Sequence, residues 1–582
     1  MTKYQNGVYQ TSAQGLHGPV EVETTLSDDR ITKIEVLRDP GEYQEKANPV
    51  VTAAIIAKQD PKVDAVSGAT VSSNAIMEAV QKALDAASGE KSSSDLEDKT
   101  IQADLTVIAA GPAGLAAAIS ASEKGLKVVV FEKQAITGGT ANMGMGPLGI
   151  DTPEQRQNFN GISVQDALAN QLTYTHYRVD SRLVARYFRK SADTIAWLKD
   201  MGIQFVGAFR YFKESEATWH IVKNESGKIG PGCASAMMKK MTEHAKELGV
   251  EFYLETPVKK ILMKDGKVSG VIAESASVRY TVTSPAVVVA TGGYGSNEKM
   301  LESRQGYHLN HDFFTFNVPG IKGDGLKMMW QSGAKEYGDT VEMIYLLPHN
   351  LTYMTADGVL RQPNLLINQN GDRFMNEEMM GNTTFTGNAI NLQPGHYAYC
   401  IMDRKILKQY QDAGPDIVDL VHSAEGFKHL DPDIAKAEEN HYEGIVTAET
   451  LPELSEKLKI SLPKLQSVIT RYNSYCAKGY DEEFYKSHQD LHPITGEGGY
   501  LVGKFYSGAY GTVGGVKINE NCEVQNDDGQ TIPGLYSAGS DANTIYADSY
   551  NFTLPGNTMG FAVNSGRIAG SEAARKLLRD NG

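Results

Sequence analysis

The stretch that most constrains this chain is Ala103–Gly114, ADLTVIAAGPAG. Leu105–Ala109 is apolar throughout, as an interior parallel strand covered on both faces must be. A tight turn follows at once, and Leu115–Ala121 reads as a helix of small residues. Strand, glycine turn and helix in immediate succession form the opening of a dinucleotide-binding unit. Gly111 has no side chain to hold off a pyrophosphate, Gly114 lets the helix lie close on the sheet, and the helix N-terminus offers unpaired N–H groups to phosphate. The pattern departs from G-x-G-x-x-G at its first position, which is Ala109.

Three later pieces fit the same fold. Lys127–Phe131 (KVVVF) is a second strand ending at Glu132, at the separation where a carboxylate reaches ribose hydroxyls, although acid at a strand tip is also a common solvated residue. Ala286–Ala290 is another apolar strand, followed by Thr291-Gly292-Gly293, and Ile532–Gly539 reads IPGLYSAG. In this order the four pieces resemble the FAD-binding fold of the fumarate reductase and succinate dehydrogenase flavoprotein superfamily. The resemblance implies non-covalent FAD at Gly111, Ala113, Gly114, Glu132, Lys133, Gly138, Gly139, Thr140, Ala141, Thr291, Gly292, Gly539, Asp541, Asn557, Thr558 and Met559. Gly138 to Ala141 belong to the glycine-dense stretch Thr137–Gly146, which the superfamily brings against the isoalloxazine ring and which otherwise reads as an ordinary loop.

At 582 residues the chain exceeds one hydrophobic core and implies three or four domains. Its 56 basic against 71 acidic residues, a net charge of -15, argue against nucleic acid or an anionic membrane surface as partner. No apolar run reaches the roughly 18 residues of a membrane span, and MTKYQNGVYQ is polar, so a cytoplasmic protein is expected. Cys233, Cys400, Cys476 and Cys522 are scattered, without metal-ligand or haem-attachment spacing, and the histidines form no ligand cluster. Reduced structural thiols and no catalytic metal are the expectation.

Residues 1–88 read as a small α+β unit, with strands Val20–Thr24 and Ile31–Val36 and a helix Ser72–Ala87. Between them DAVSGAT, Asp64–Thr70, closely resembles the S-G-A-T signature of the FMN-binding domain of sodium-pumping and electron-bifurcating reductase subunits. In that family the threonine is esterified to the FMN phosphate. The resemblance therefore implies Thr70 as acceptor, with Ser67, Gly68 and Ala69 beside it and a separate flavin transferase as partner. A phosphate at a helix's first turn is favoured by the dipole and by free N–H groups, and Gly68 permits close approach. A plain helix cap is the other reading. Residues 89–100, with the polar Gly89–Lys99, read as a linker that would let the FMN module swing toward FAD.

The expected fold class is α/β: a Rossmann-like FAD-binding domain (101–344 and 506–582) with an inserted α+β capping domain (345–505) and the small N-terminal FMN-binding domain. Helices are expected at Val164–Tyr177 and Ser181–Met201, the second with apolar Leu183, Val184, Tyr187, Ile195 and Leu198, and strands at Lys259–Ala273 and Tyr280–Val289. In the insert, Pro452–Leu458 and Leu462–Lys478 read as helices. Leu366–Glu377, LINQNGDRFMNE, resembles the capping domain of soluble fumarate reductases, which closes over the flavin and excludes water. A rigid insertion is the alternative. Near the end, Gly556-Asn557 open a helix whose positive pole would face the flavin N1–C2 edge.

This architecture is shared by urocanate, acrylate and cinnamate reductases, which send hydride from flavin N5 to one alkene carbon and a proton to the other while cations grip the substrate carboxylate. Here Gly381, Thr553 and Gly511 stand where the family has arginine, arginine and histidine. A buried carboxylate without those partners costs several kcal/mol, so fumarate is not expected as substrate. Arg361 matches the arginine of the family's proton path, and relay or structural roles both stand. The tail Gly539–Asn543 with Tyr546, Tyr550 and Pro555–Gly560 looks like that of 3-ketosteroid dehydrogenases, where a tyrosine and a glycine N–H polarise a ketone. That resemblance implies Tyr550 and Gly556, which would stabilise enolate charge without a counter-ion. Tyr345, Tyr353, Tyr510 and Tyr546 are the candidates for the proton-donating acid. The expected activity is reduction of a carbon-carbon double bond conjugated to a carbonyl in a steroid-like or aromatic enone. Electrons would pass from NADH, a reduced flavin or a reductase through FMN to FAD. An enoate reductase and a non-catalytic electron carrier or redox sensor are the alternatives.

Overall fold

The structure is a computed structural model that describes residues 4–15, 18–39, 44–63, 65–66, 70–87, 96–349, 352–422 and 424–580. It divides into two compact units, residues 1–98 with 276–279, and residues 99–275 with 280–582. Among the described residues no helix is long and apolar enough to cross a membrane.

The first unit is an antiparallel sheet of β1 (Gly7–Gly15), β2 (Gly18–Ser27) and β3 (Arg30–Arg38), with helices α1 (Gln44–Lys58) and α2 (Thr70–Ala87). Val20, Val22, Thr24 and Leu26 point inward along β2 while their neighbours stay partly exposed, the alternation of a sheet with one covered face. Ala75, Ile76, Ala79, Val80 and Leu84 of α2 are buried at helical spacing. The sequence reading missed β1, which is mostly polar, and α1, which carries Pro49 inside it. The helix expected from Ser72 begins at Thr70. Ser67, Gly68 and Ala69 lie outside the described residues.

The expected linker ends early. Residues 88–95 lie outside the described residues, but Glu97–Gln102 form a strand, β4, at the edge of a four-stranded sheet. The strand expected at Lys259–Ala273 is a hairpin, Val258–Lys264 and Lys267–Glu274, because Asp265 and Gly266 take positive φ (51° and 74°). Val278–Thr283 completes that small sheet, and Pro285 separates it from Ala286–Val289, the only part of this region in the nucleotide sheet.

That nucleotide sheet has six strands in the order Glu523–Gln525, Thr531–Ser537, Ala286–Val289, β5 (Leu105–Ile108), β6 (Val128–Phe131) and Glu251–Tyr253. The strands beside β5 run parallel to it. Every residue of β5 and β6 is buried, and each buried Val or Leu contributes about 1.5–3 kcal/mol relative to exposure. Helix α3 (Pro112–Ser122) follows, and its small residues meet the last helix, Asn557–Asp580, at backbone distance. A Cβ on Gly566 would lie 2.0 Å from the Ala113 carbonyl oxygen, and one on Gly570 2.2 Å from that of Ala117. Ala109, the departure from the glycine pattern, holds φ at +81°, so the turn keeps a glycine-like conformation without glycine.

In the insert, the 17-residue strand Tyr500–Val516 pairs with Glu336–Leu346, Phe314–Thr315, Tyr397–Asp403 and Ile445–Ala448. The divisions drawn at 344/345 and 505/506 fall inside two of these strands, so one continuous sheet carries the junction. Helix Val164–Tyr174 stops short of Tyr177 because His176 and Tyr177 have positive φ. Helix Ser181–Asp200 buries all five of its expected apolar positions.

Candidate functional site

A cavity of about 600 Å³ is lined by the β5–α3 turn, the turn Gly139–Met143, the Thr291-Gly292 loop, the long strand and the start of the last helix. Of the residues expected at FAD, Gly111, Ala113, Glu132, Lys133, Gly139, Thr140, Ala141, Thr291, Gly292, Gly539, Thr558 and Met559 line it. A Cβ added to Gly111 would meet nothing within 4 Å, and the first turn of α3 has no side-chain cap. Backbone N–H groups thus face open space at a helix's positive end, the cradle a pyrophosphate needs. Glu132 is fixed at that turn, accepting hydrogen bonds from the Ala110 and Gln134 N–H groups at 2.8 Å each. Lys133 pairs with Asp324 at 2.5 Å. These residues fit FAD.

Four expected cofactor residues shape the wall without facing the cavity. A Cβ on Gly114 would lie 1.9 Å from the Ala109 carbonyl oxygen, so Gly114 serves the helix–strand approach. Gly138, at φ +104°, makes room for Asn142. Asp541 is fully buried and accepts from the N–H groups of Thr291 and Gly293 (2.5 and 2.8 Å), moulding that loop from behind. Burial pushes its carboxyl up, against those same bonds. Asn557 is buried, its amide near Gln171 (3.4 Å) and its carbonyl accepting from the Tyr187 hydroxyl (3.1 Å).

Tyr550, Gly556, Arg361 and Tyr510 all line the same cavity, joined there by Tyr211, Trp219, Phe552, Glu342, Asp357 and His422. Tyr211 meets Phe552 edge-on at 4.5 Å, and Tyr510 stacks on Phe316 at 5.4 Å. Burial lifts the Tyr550 and Tyr510 phenols well above their ordinary range, so both are donors at neutral pH. Tyr345, Tyr353 and Tyr546 do not reach the cavity. Tyr345 donates to the Met380 carbonyl (2.9 Å), Tyr353 stacks on Tyr442 (4.0 Å), and Tyr546 meets the Thr558 hydroxyl (3.3 Å).

Arg361 pairs with Asp357 at 2.6 Å, donates to the Tyr345 carbonyl at 3.0 Å and lies 4.4 Å over the Tyr345 ring. His422 sits 3.2 Å from Asp357 and 2.7 Å from Asp419. Burial alone would lower His422, but hydrogen bonds to the two carboxylates outweigh it and push the imidazole up to about 9. It is cationic at neutral pH. Burial opposes ionisation of Asp357 and Asp419, yet Arg361 and His422 hold both carboxyls below their ordinary value. Two cations and two carboxylates therefore cancel. At the positions where cations were missed, Gly381 faces Phe212, Thr553 is bonded to Asn551 and Asn170, and Gly511 lines the cavity beside Glu342.

The sequence reading missed Glu342, Asp357, Asp419, His422 and Tyr211. Signals existed: Glu342 interrupts the apolar run Val341–Leu346, Asp357 and Arg361 stand four apart, and Asp419 and His422 three apart.

A parallel sheet that presents a glycine turn, a fixed carboxylate and an open cavity at its strand ends defines a dinucleotide-binding flavoprotein. Comparison with known proteins goes further: the chain belongs to the fumarate reductase flavoprotein superfamily, matching the FAD binding domain family over residues 104–558 and the FMN-binding domain family over residues 15–85. It is 34% identical to the vinyl phenol reductase of Lactiplantibacillus plantarum, over 81% of this chain and 96% of that one. It is 29% identical to the NADH:fumarate oxidoreductase of Klebsiella pneumoniae over 99% of this chain, which spans 59% of that longer protein. The structure of a 3-ketosteroid-Δ4-(5α)-dehydrogenase from Rhodococcus jostii shares the fold, with a TM-score of 0.64, 22% identity, and coverage of 81% of this chain and 97% of that one.

Proposed function

We propose that this chain reduces a carbon-carbon double bond conjugated to an uncharged oxygen function, the carbonyl of an aromatic enone or a phenol. Bound FAD supplies hydride from its reduced ring. Tyr550 and the Gly556 backbone hold the substrate oxygen and stabilise charge developing there. Tyr211, Trp219 and Phe552 flank an aromatic ring, and residues 345–505 cover the site and exclude water.

The observation that carries this reading is the cancelled charge: Arg361 and His422 are both committed to Asp357 and Asp419, so neither of these cations is free for a carboxylate. The relative at 34% identity is named for an alkene that has no carboxylate. One observation favours an enoate instead, since Arg361 Nε is buried without a protein partner. A single N–H whose charge Asp357 already offsets is a weak grip on an anion.

Anaerobic reoxidation of the dithionite-reduced holoenzyme tests the proposal. Vinyl phenols and aromatic enones should reoxidise it roughly a hundredfold faster than fumarate, urocanate or cinnamate, the factor that a few kcal/mol of uncompensated charge implies. Turnover confined to carboxylates would overturn it. Electrons arrive from NADH, a reduced flavin or a reductase through FMN esterified to Thr70 by a flavin transferase, a reading supported by the family match over 15–85 and by α2 beginning at Thr70. The denatured chain should weigh one FMN more than its sequence, and Thr70→Ala should lose that mass. A denatured chain already at its sequence mass would exclude the ester.

A further inference from the structure

We propose that Glu342 is the proton reservoir of this site, passing its proton through the Thr558 hydroxyl to Tyr550. The inference rests on the reductase reading above. Glu342 lies on the strand Glu336–Leu346, 5% exposed, and its carboxyl reaches the cavity. Thr558, in the first turn of the last helix, hydrogen-bonds the Glu342 carboxyl and stands 3.3 Å from both the Tyr550 and the Tyr546 hydroxyls. One hydroxyl has a single hydrogen and cannot donate to Glu342 and Tyr550 together. With the carboxyl protonated, Glu342 donates to Thr558 and Thr558 donates on to Tyr550.

The surroundings favour that protonated form. The titratable groups facing Glu342 are Tyr546 and Tyr550 from the segment before the last helix and Tyr510 from the long strand, all neutral acids. Among the described residues no lysine, arginine or histidine pairs with it. Burial pushes the carboxyl up to about 7, with the Thr558 bond pulling the other way. Arg361 cannot take this part: burial works to lower its pKa, but the Asp357 charge and its other neighbours outweigh that and keep its protons in place.

In the step on an enone, the reduced flavin when bound would supply hydride to one alkene carbon, while the Tyr550 hydroxyl gives its proton to the substrate oxygen it holds, leaving an enol that tautomerises to the saturated carbonyl. The O–H bond of Tyr550 re-forms with the Thr558 proton, that of Thr558 with the Glu342 proton, and Glu342 is left as carboxylate until water reprotonates it. Two electrons and two hydrogens enter the substrate, and the flavin alone is oxidised.

Two measurements on the holoenzyme decide it. Infrared titration of the oxidised protein should show a carboxylic-acid carbonyl band lost near pH 7, absent in Glu342→Gln and retained in Thr558→Val. Alkene-driven reoxidation in the wild type should fall as pH rises through 7. In Glu342→Gln and in Thr558→Val it should be roughly a hundredfold slower below pH 7, and in Glu342→Gln it should lose that pH dependence. Alkene reduction by Glu342→Gln at wild-type rate and with the wild-type pH profile, or no band titrating near 7, overturns the relay alone. A wild type that no alkene reoxidises overturns the functional reading and the relay with it.

Discussion

Tyr550→Phe is expected to lower alkene-driven reoxidation of the reduced protein by roughly a hundredfold, with FAD content unchanged. The change removes one oxygen and little else. The ring stays packed against Tyr546 at 4.7 Å and Phe552 at 5.6 Å, so the cavity keeps its shape. What disappears is the donor proposed to hold the substrate oxygen, and the acceptor for Thr558. Stopped-flow reoxidation with a vinyl phenol reads the effect directly. A variant as fast as the wild type would remove the hydroxyl from the reaction.

Arg373→Met is expected to destabilise the chain by about 3–5 kcal/mol at neutral pH, the cost of leaving buried carboxylates unpaired. Arg373 donates to both oxygens of Glu377 (2.9 and 2.7 Å) and to both of Asp481 (3.0 and 2.9 Å), and all three side chains are fully buried. Lys486 adds a second cation 3.8 Å from Glu377. Burial works to raise the Asp481 carboxyl, but the hydrogen bond from Arg373 outweighs it and holds the group down at about 2. A depressed carboxyl stabilises the fold above its ordinary value near 3.8, and that stability is lost as pH falls through 2. The gap between variant and wild type should therefore be widest at pH 7 and narrow below pH 4. Denaturant unfolding at the two pH values measures it, and a variant as stable as the wild type at pH 7 would contradict the pairing.

The cofactor half of the molecule was legible because its chemistry is local. Leu105–Ile108, Gly111 and Glu132 sit within one βαβ unit, where strand, turn and acid are fixed by short-range spacing. The substrate half was not, because its charges meet only in the fold. Arg361 was visible as a motif residue, but the His422–Asp419 pair that shares its partner Asp357 comes from a distant segment that the fold brings beside it. Counting absent cations at Gly381, Thr553 and Gly511 indicated an uncharged guest. The proposal of such a guest rests on a different observation, two cations that are present and already neutralised. Glu342 escaped notice because an acid in an apolar strand carries no motif, and pattern alone did not show that Asp541, expected at the cofactor, bonds the Thr291–Gly293 loop or that Asn557 lies against Gln171.

The long strand Tyr500–Val516 has a mechanical consequence. It is bonded along one edge to Glu336–Leu346 and at other points to three further strands, and it carries Tyr510, Gly511 and Thr512 into the cavity wall. A strand braced in this way does not bow outward to admit a bulky guest. If that wall keeps its place when a guest binds, the cavity favours planar molecules over those with groups standing out of plane.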